Sequence, residues 1–245
     1  MIRGRTTVAL AALLLAASAG AAAAQTLRDL TVARHRTDQR TLDVELLFAS
    51  GAFQLRPATD HALYRMHLTY DPSRFLPLTR FLEGVRSVRL GLEPLGRTGL
   101  HVLSGRDLSQ LALVELSPAV DLSLDIGLGS TEADLELGGL RLADLVLRTG
   151  AGRTTLRFSR PNPSACTQAT IRGEAAEITV EGLGQSRCAH VRVDGDVGAL
   201  TLDFSGSLPD AMTVSVQQRL GGVPLRLPRQ AGGRPPLRSF LALFR

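Results

Sequence analysis

Five related stretches recur along the second half of the chain, and their spacing limits what it can fold into. They read LDIGLGSTEADLEL (124–137), LRTGAGRTTLRF (147–158), IRGEAAEITVEG (171–182), VRVDGDVGALTLDF (191–204) and, more degenerate, VSVQQRLGGVPLRL (214–227). The first glycines of the four better copies, Gly127, Gly150, Gly173 and Gly195, are spaced 23, 23 and 22 residues apart. Apolar residues alternate on both sides, as in Leu124 and Ile126 before Gly127 and Leu135 and Leu137 after it. Period two is the mark of a strand with one buried face. The four glycines are therefore expected to be repeat turns, placed between two strands where the backbone bends or takes φ > 0. A phosphate-cradling glycine loop needs a helix after it, because the helix N-terminus holds the anion. Here a strand pattern follows each glycine, with Thr154, Thr155 and Thr179 adding β propensity.

Repeats of about 22 residues with two strands each predict an all-β chain coiled as a β-solenoid, or β-helix-like stack, since one repeat alone cannot bury its apolar face. The alternative is an antiparallel sandwich or barrel, which also uses short strands and regular turns. Residues 43–57 resemble a further rung, with alternation either side of Ser50-Gly51, and residues 62–70 alternate up to a stop at Asp71-Pro72. Residues 85–92 and 108–116 read as extended, whereas 74–85 is ambiguous and is expected to hold a short helix. The chain divides into a first β region at 25–118, a regular stack at 119–230 and a basic tail or cap at 231–245.

The first 24 residues have a basic start at Arg3 and Arg5, an apolar middle and an Ala-rich end, the layout of a signal peptide cleaved before Gln25. The apolar run is half the ~20 residues needed to span a bilayer. An extracytoplasmic address follows: periplasmic, cell-surface or secreted. All 28 basic residues are Arg, and net charge falls from +5 to +3 on removal of residues 1–24, which hold two Arg and no acid. After Asp210 come Arg219, Arg226, Arg229, Arg234, Arg238 and Arg245 and no acid. Such a tail is solvated or touches an anionic surface. Nucleic acid is excluded by the secretory address and by the lack of any binding motif.

Cys166 and Cys188 are 22 residues apart, one repeat, and each lies seven residues before a repeat glycine. In a stack, equivalent positions are ~4.8 Å apart, within disulfide reach. An exported chain meets an oxidising medium, so a bridge between adjacent rungs is predicted.

Candidate chemistry is sparse. His101, Ser104 and Asp107 crowd one short segment, where a catalytic triad must instead converge in space. Asp194-Gly195-Asp196 offers two carboxylates in a turn, fewer oxygens than calcium wants. Asp121, Asp125, Glu132, Asp134 and Glu136 form an acidic outward sector, and His61 and His67 lack ligand spacing. Arg148, Arg172 and Arg192 lie just before their glycines and form a possible anion-binding ladder, in imperfect register. No catalytic, metal or cofactor-binding residue is assigned, and no cofactor is expected.

Two stretches carry a family resemblance: LDVELLFASGAFQLRPATDHALYRMHLTYDP (42–72) and VELSPAVDLSLDIGLGSTEADLELGGLRLADLVLRTGAGRTTLRF (114–158). The run at 121–152 is their best part. They resemble the bacterial toast-rack family, which is similar to the β-rich domain of the cell-wall-active antibiotic response proteins. The resemblance implies a β-stack at the cell envelope and supplies no catalytic residue. The expected function is that of a non-enzymatic structural or interaction module whose partner is an envelope component: an anionic lipid, a glycan or a protein. The alternatives are a carbohydrate-active β-helix and an envelope or membrane-surface sensor.

Overall fold

A computed structural model describes residues 27–96, 109–206, 212–226 and 240–244, the last by backbone only. Its strands are β1 (Arg28–His35), β2 (Thr41–Pro57), β3 (Ala62–Tyr70), β4 (Phe75–Leu82), β5 (Ser87–Pro94), β6 (Leu111–Leu116), β7 (Asp121–Glu136), β8 (Arg141–Arg157), β9 (Cys166–Glu181), β10 (Cys188–Val197), β11 (Leu200–Asp203), β12 (Thr213–Leu220), β13 (Leu225–Arg226) and β14 (Phe240–Phe244). They form one long open mixed sheet, ordered β1-β3-β6-β2-β7-β8-β9-β10-β12-β14. The stack is a solenoid of parallel rungs, neither a closed barrel nor an antiparallel sandwich.

Each of β2, β7, β8 and β9 is one strand of 16 or 17 residues with a corner in it. The expectation of two strands joined by a turn is corrected on this point. In β7 the buried residues are Leu122, Leu124, Ile126 and Leu128, then Thr131, Ala133 and Leu135. The inward parity flips between 128 and 131, so two arms both face inward, meeting at a vertex. The two later repeats split, one into β10 and β11 and the next into β12 and β13.

Inside the vertex, residues five apart face each other from the two arms. Phe48 and Phe53 stack with ring centroids 5.4 Å apart in β2. Their register partners in β7 are Leu128 and Ala133, and those in β8 are Thr149 and Thr154, whose buried hydroxyls lie 3.3 Å apart. In β9 the pair is Gly173 and Ile178. A Cβ on Gly173 would lie 2.6 Å from Ile178 Cδ1. Volume is traded between the two arms from rung to rung, as close packing demands.

The column Ser130, Ala151, Ala175, Val197, Leu220 pairs rung to rung with offsets of 21, 24, 22 and 23 residues. These differ from the glycine spacings, so the four glycines do not share one row. Gly173 and Gly195 pair directly. Gly127 lies one row before them, opposite Arg148, and Gly150 one row after. None of the four has a positive φ; that role falls to Gly51, Gly152, Gly198 and Gly221 in the row just beyond the corner. A Cβ on Gly152 would sit 2.1 Å from the Thr131 carbonyl oxygen of the neighbouring rung, and one on Gly198 2.1 Å from that of Ala176. Three of the four first glycines instead make room for side chains, while Gly150 lies against the Gly129 carbonyl. Gly127 admits the Leu47 side chain, Gly173 admits Ile178 and Gly195 admits Gln218.

The first β region joins the stack without a break, because β2 pairs with β7 in parallel from Thr41 to Leu55. Beyond β2, one arm continues into β5 and β4 and the other into β6, β3 and β1. Residues 75–82 are thus strand β4, not the expected short helix. Pro77 sits on this edge strand, where its missing N–H costs no ladder bond. Arg34 ties the two arms together at this end, its guanidinium 4.0 Å above the Phe81 ring and its Nη2 donating to Glu83 at 2.9 Å. At the other end β14 adds to β12 in parallel. The expected signal peptide at 1–24, the His101/Ser104/Asp107 segment and tail residues 227–239 lie outside the described residues.

Cys166 and Cys188 are register partners, disulfide-bonded, with Cα atoms 4.1 Å apart. The third side of the coil is fastened nearby by Asn162, which is fully buried. Its Oδ1 accepts from the Leu142 N–H at 3.0 Å, and its Nδ2 donates to the carbonyls of Leu142 at 3.1 Å and Ser186 at 3.0 Å. One side chain thereby joins three successive coils.

Candidate functional site

The outer surface of the corner carries a groove of about 530 Å³. Outward positions on β7 and β8 that would carry side chains are Gly127, Gly129 and Gly150, and these floor it. Charge comes from Arg148, Arg172, Glu174, Asp194 and Asp196.

The expected anion-binding ladder of Arg148, Arg172 and Arg192 is not what the corner presents. Arg148 and Arg172 do face each other in register. The next residue in that row is Asp194, whereas Arg192 pairs opposite Thr170, two residues away. Each guanidinium also has a carboxylate. Arg148 bonds Asp125; Arg192 Nε donates to both Asp194 oxygens at 2.8 and 3.1 Å; Arg172 Nε lies 3.5 Å from Asp194. Asp196 lies 3.4 Å from Arg219. The physical reason is that like charges directly opposite on neighbouring strands are unfavourable unless carboxylates intervene. Two arginines and three carboxylates line the groove, so it is dipolar rather than basic.

The acidic sector is likewise cross-linked by arginine. Outside the corner, β8 is the basic rung between two acidic ones. Glu132, Arg153 and Glu177 form one row, and Glu136, Arg157 and Glu181 another. Arg157 reaches Asp134 through both Nη atoms at 2.6 to 2.9 Å, and Arg153 Nε donates to Glu177 at 3.2 Å. Asp121 accepts from Arg141 Nε at 2.8 Å. Exposed pairs of this kind contribute about 0.2–1 kcal/mol each. Because each of these rungs carries one sign along this arm, the pairs favour the order of the rungs rather than one register.

A second charged cluster escaped sequence reasoning. Glu115 on β6 is buried and accepts from Arg56 Nε at 2.9 Å and Arg65 Nη1 at 2.7 Å. Arg65 also bonds Asp60. Burial pushes the Glu115 carboxyl up, but the hydrogen bonds from Arg65 and Arg56 outweigh it and leave the group below the usual glutamate value. The Arg65 hydrogen bond holds Asp60 low as well. Four charges from three chain segments close this arm of the stack. Among the described residues, no three of His, Cys, Asp and Glu converge where they would hold a metal ion. No described helix is long and apolar enough to cross a membrane.

With the geometry established, residues 23–181 match the family described as the N-terminal domain of toast_rack, DUF2154. The chain belongs to the toast-rack family. This toast-rack chain also shares its fold with a "putative cell adhesion protein" of Clostridium sporogenes, at a TM-score of 0.64 and 12% identity, with 83% of this chain and 100% of the other covered. A "putative adhesin" of Parabacteroides distasonis aligns over 84% of this chain and 94% of its own, at 10% identity and a TM-score of 0.26. Likeness at such identities concerns the fold alone. No curated protein matches the toast-rack chain.

Proposed function

We propose that this toast-rack protein is an exported, non-enzymatic module that binds a component of the cell envelope. The observation that carries the proposal is the Cys166–Cys188 disulfide between adjacent rungs. Such bonds persist in oxidising compartments and are rare in a reducing cytosol. The signal-peptide layout of residues 1–24 agrees with it. The rigid stack with an exposed charged corner suits binding, and one protein of similar fold is itself described as a putative cell adhesion protein. The partner is an anionic lipid, a glycan or another envelope protein. Fractionation of the native organism tests the proposal. The protein is expected outside the cytoplasm, oxidised at both cysteines, and retained on isolated envelopes. Recovery from the cytosol with two free thiols would contradict it.

One observation favours a second reading. The corner groove mixes acids with arginines, as a carbohydrate-active β-helix would require. Release of reducing ends from envelope polysaccharide by the purified protein would replace binding with turnover.

A further inference from the structure

The groove's charges are ordered by rung, and the order narrows its ligand. β7 contributes glycines, β8 contributes Arg148, β9 contributes Arg172 and Glu174, and β10 contributes Asp194 and Asp196. β9 thus carries both signs, and the polarity runs along the strands as well as across them: Arg148 and Arg172 share one row, and Glu174 and Asp196 lie two residues beyond it. With rungs ~4.8 Å apart, the rung of Arg148 and that of Asp194 are roughly 10 Å apart. A simple anion that reached the arginines would meet three carboxylates, and a simple cation would meet two guanidiniums.

Arg172 is the less satisfied of the two groove arginines, since Arg148 bonds Asp125. The carboxylate near it, Asp194, is 3.5 Å away and already holds Arg192 through both oxygens. A guanidinium has five donors in a planar fork, suited to a carboxylate. At the acidic end Glu174 is exposed, and Asp196 lies 3.4 Å from an exposed Arg219. Gly129 and Gly150 let a ligand backbone lie against the strands without meeting a side chain, whereas Leu47 overlies Gly127.

We infer that the groove binds a short zwitterionic peptide, its terminal carboxylate on Arg148 and Arg172 and its terminal ammonium on Glu174 and Asp196. The arginine pair and the acid pair are centred about one rung apart and two residues along the strands, roughly 8 Å in all, within the ~10 Å that three extended residues span. The inference deepens the binding-module reading and rests on it.

Titration of the ¹⁵N-labelled protein with triglycine tests it. Saturable shifts are expected at the amides of Gly127, Gly150 and Gly173. N-acetyl-triglycine and triglycine amide should each bind about tenfold more weakly, the loss of one charge-assisted contact. Arg172→Gln and Glu174→Gln should weaken triglycine by a similar factor, while Arg153→Gln, outside the groove, should not. Native dispersion of resonances away from the corner confirms that each variant is folded. Absence of saturable shifts with triglycine overturns the inference, as does equal binding by the blocked peptides or by inorganic phosphate. Envelope retention that survives with no triglycine binding defeats the peptide inference and leaves the binding module standing. Loss of wild-type retention defeats the module itself.

Discussion

At the scale of single residues, the glycines of the repeat divide into two kinds. Gly152 has φ +104° and faces a neighbouring carbonyl, so any side chain there is strained and collides with backbone. Gly127 has ordinary φ, and an added Cβ would meet only the tip of Leu47 at 2.8 Å. Gly152→Ala is expected to cost about 3 kcal/mol and Gly127→Ala less than about 1 kcal/mol in urea unfolding. Equal losses would show that the corner does not depend on the left-handed position. Glu115 gives a pH prediction. Its pKa is lowered in the folded state from the ordinary 4.5, so its stabilisation is complete above that value and is lost as pH falls through the lower, folded pKa. The melting temperature of the wild type should drop more steeply than that of Glu115→Gln on acidification below pH 4.5, a comparison readily made by circular dichroism.

At the scale of elements, two fastenings join successive coils, one covalent and one polar. The disulfide closes a loop of 22 residues. Cys166→Ser/Cys188→Ser should lower stability by about 3 kcal/mol, measured against the oxidised wild type. Asn162→Ala would leave the Leu142 amide and carbonyl without this buried partner, and a loss of about 3 kcal/mol is expected in the same assay. The disulfide was legible in the sequence because both cysteines sit in one repeat phase. The alternation of Leu124, Ile126, Leu135 and Leu137 was legible for the same reason, since burial imposes its period directly. Asn162 was not, because its role depends on coils 20 and 24 residues away. The row of positive-φ glycines just beyond the corner was also hidden. It falls on the second glycine in GAG and on Gly198 after DV, and unequal rung offsets shift the first glycines out of line. The arginine ladder failed for the same cause, since a displacement of two residues moved Arg192 out of the row and put Asp194 in it.

At the scale of the whole molecule, the chain is a rod of bent rungs with different ends. The β1/β4 end is closed by Pro77, by Arg34 over Phe81 and by the Glu115 cluster. The opposite end leaves Val197 and Leu220 paired and exposed on the corner, at 52% and 65%. The claim on which the disulfide, the groove and the binding role depend is the parallel register of the rungs. Paired cysteines test it most directly. Thr155 and Thr179 are outward register partners on β8 and β9, whereas Thr155 and Glu177 are one pleat out of step. Thr155→Cys/Thr179→Cys should form a new disulfide in the oxidised protein, seen by mass spectrometry of non-reduced peptides. Thr155→Cys/Glu177→Cys should remain largely as free thiols. Preferential bridging of the 155/177 pair, or none in the 155/179 pair, would contradict the stack.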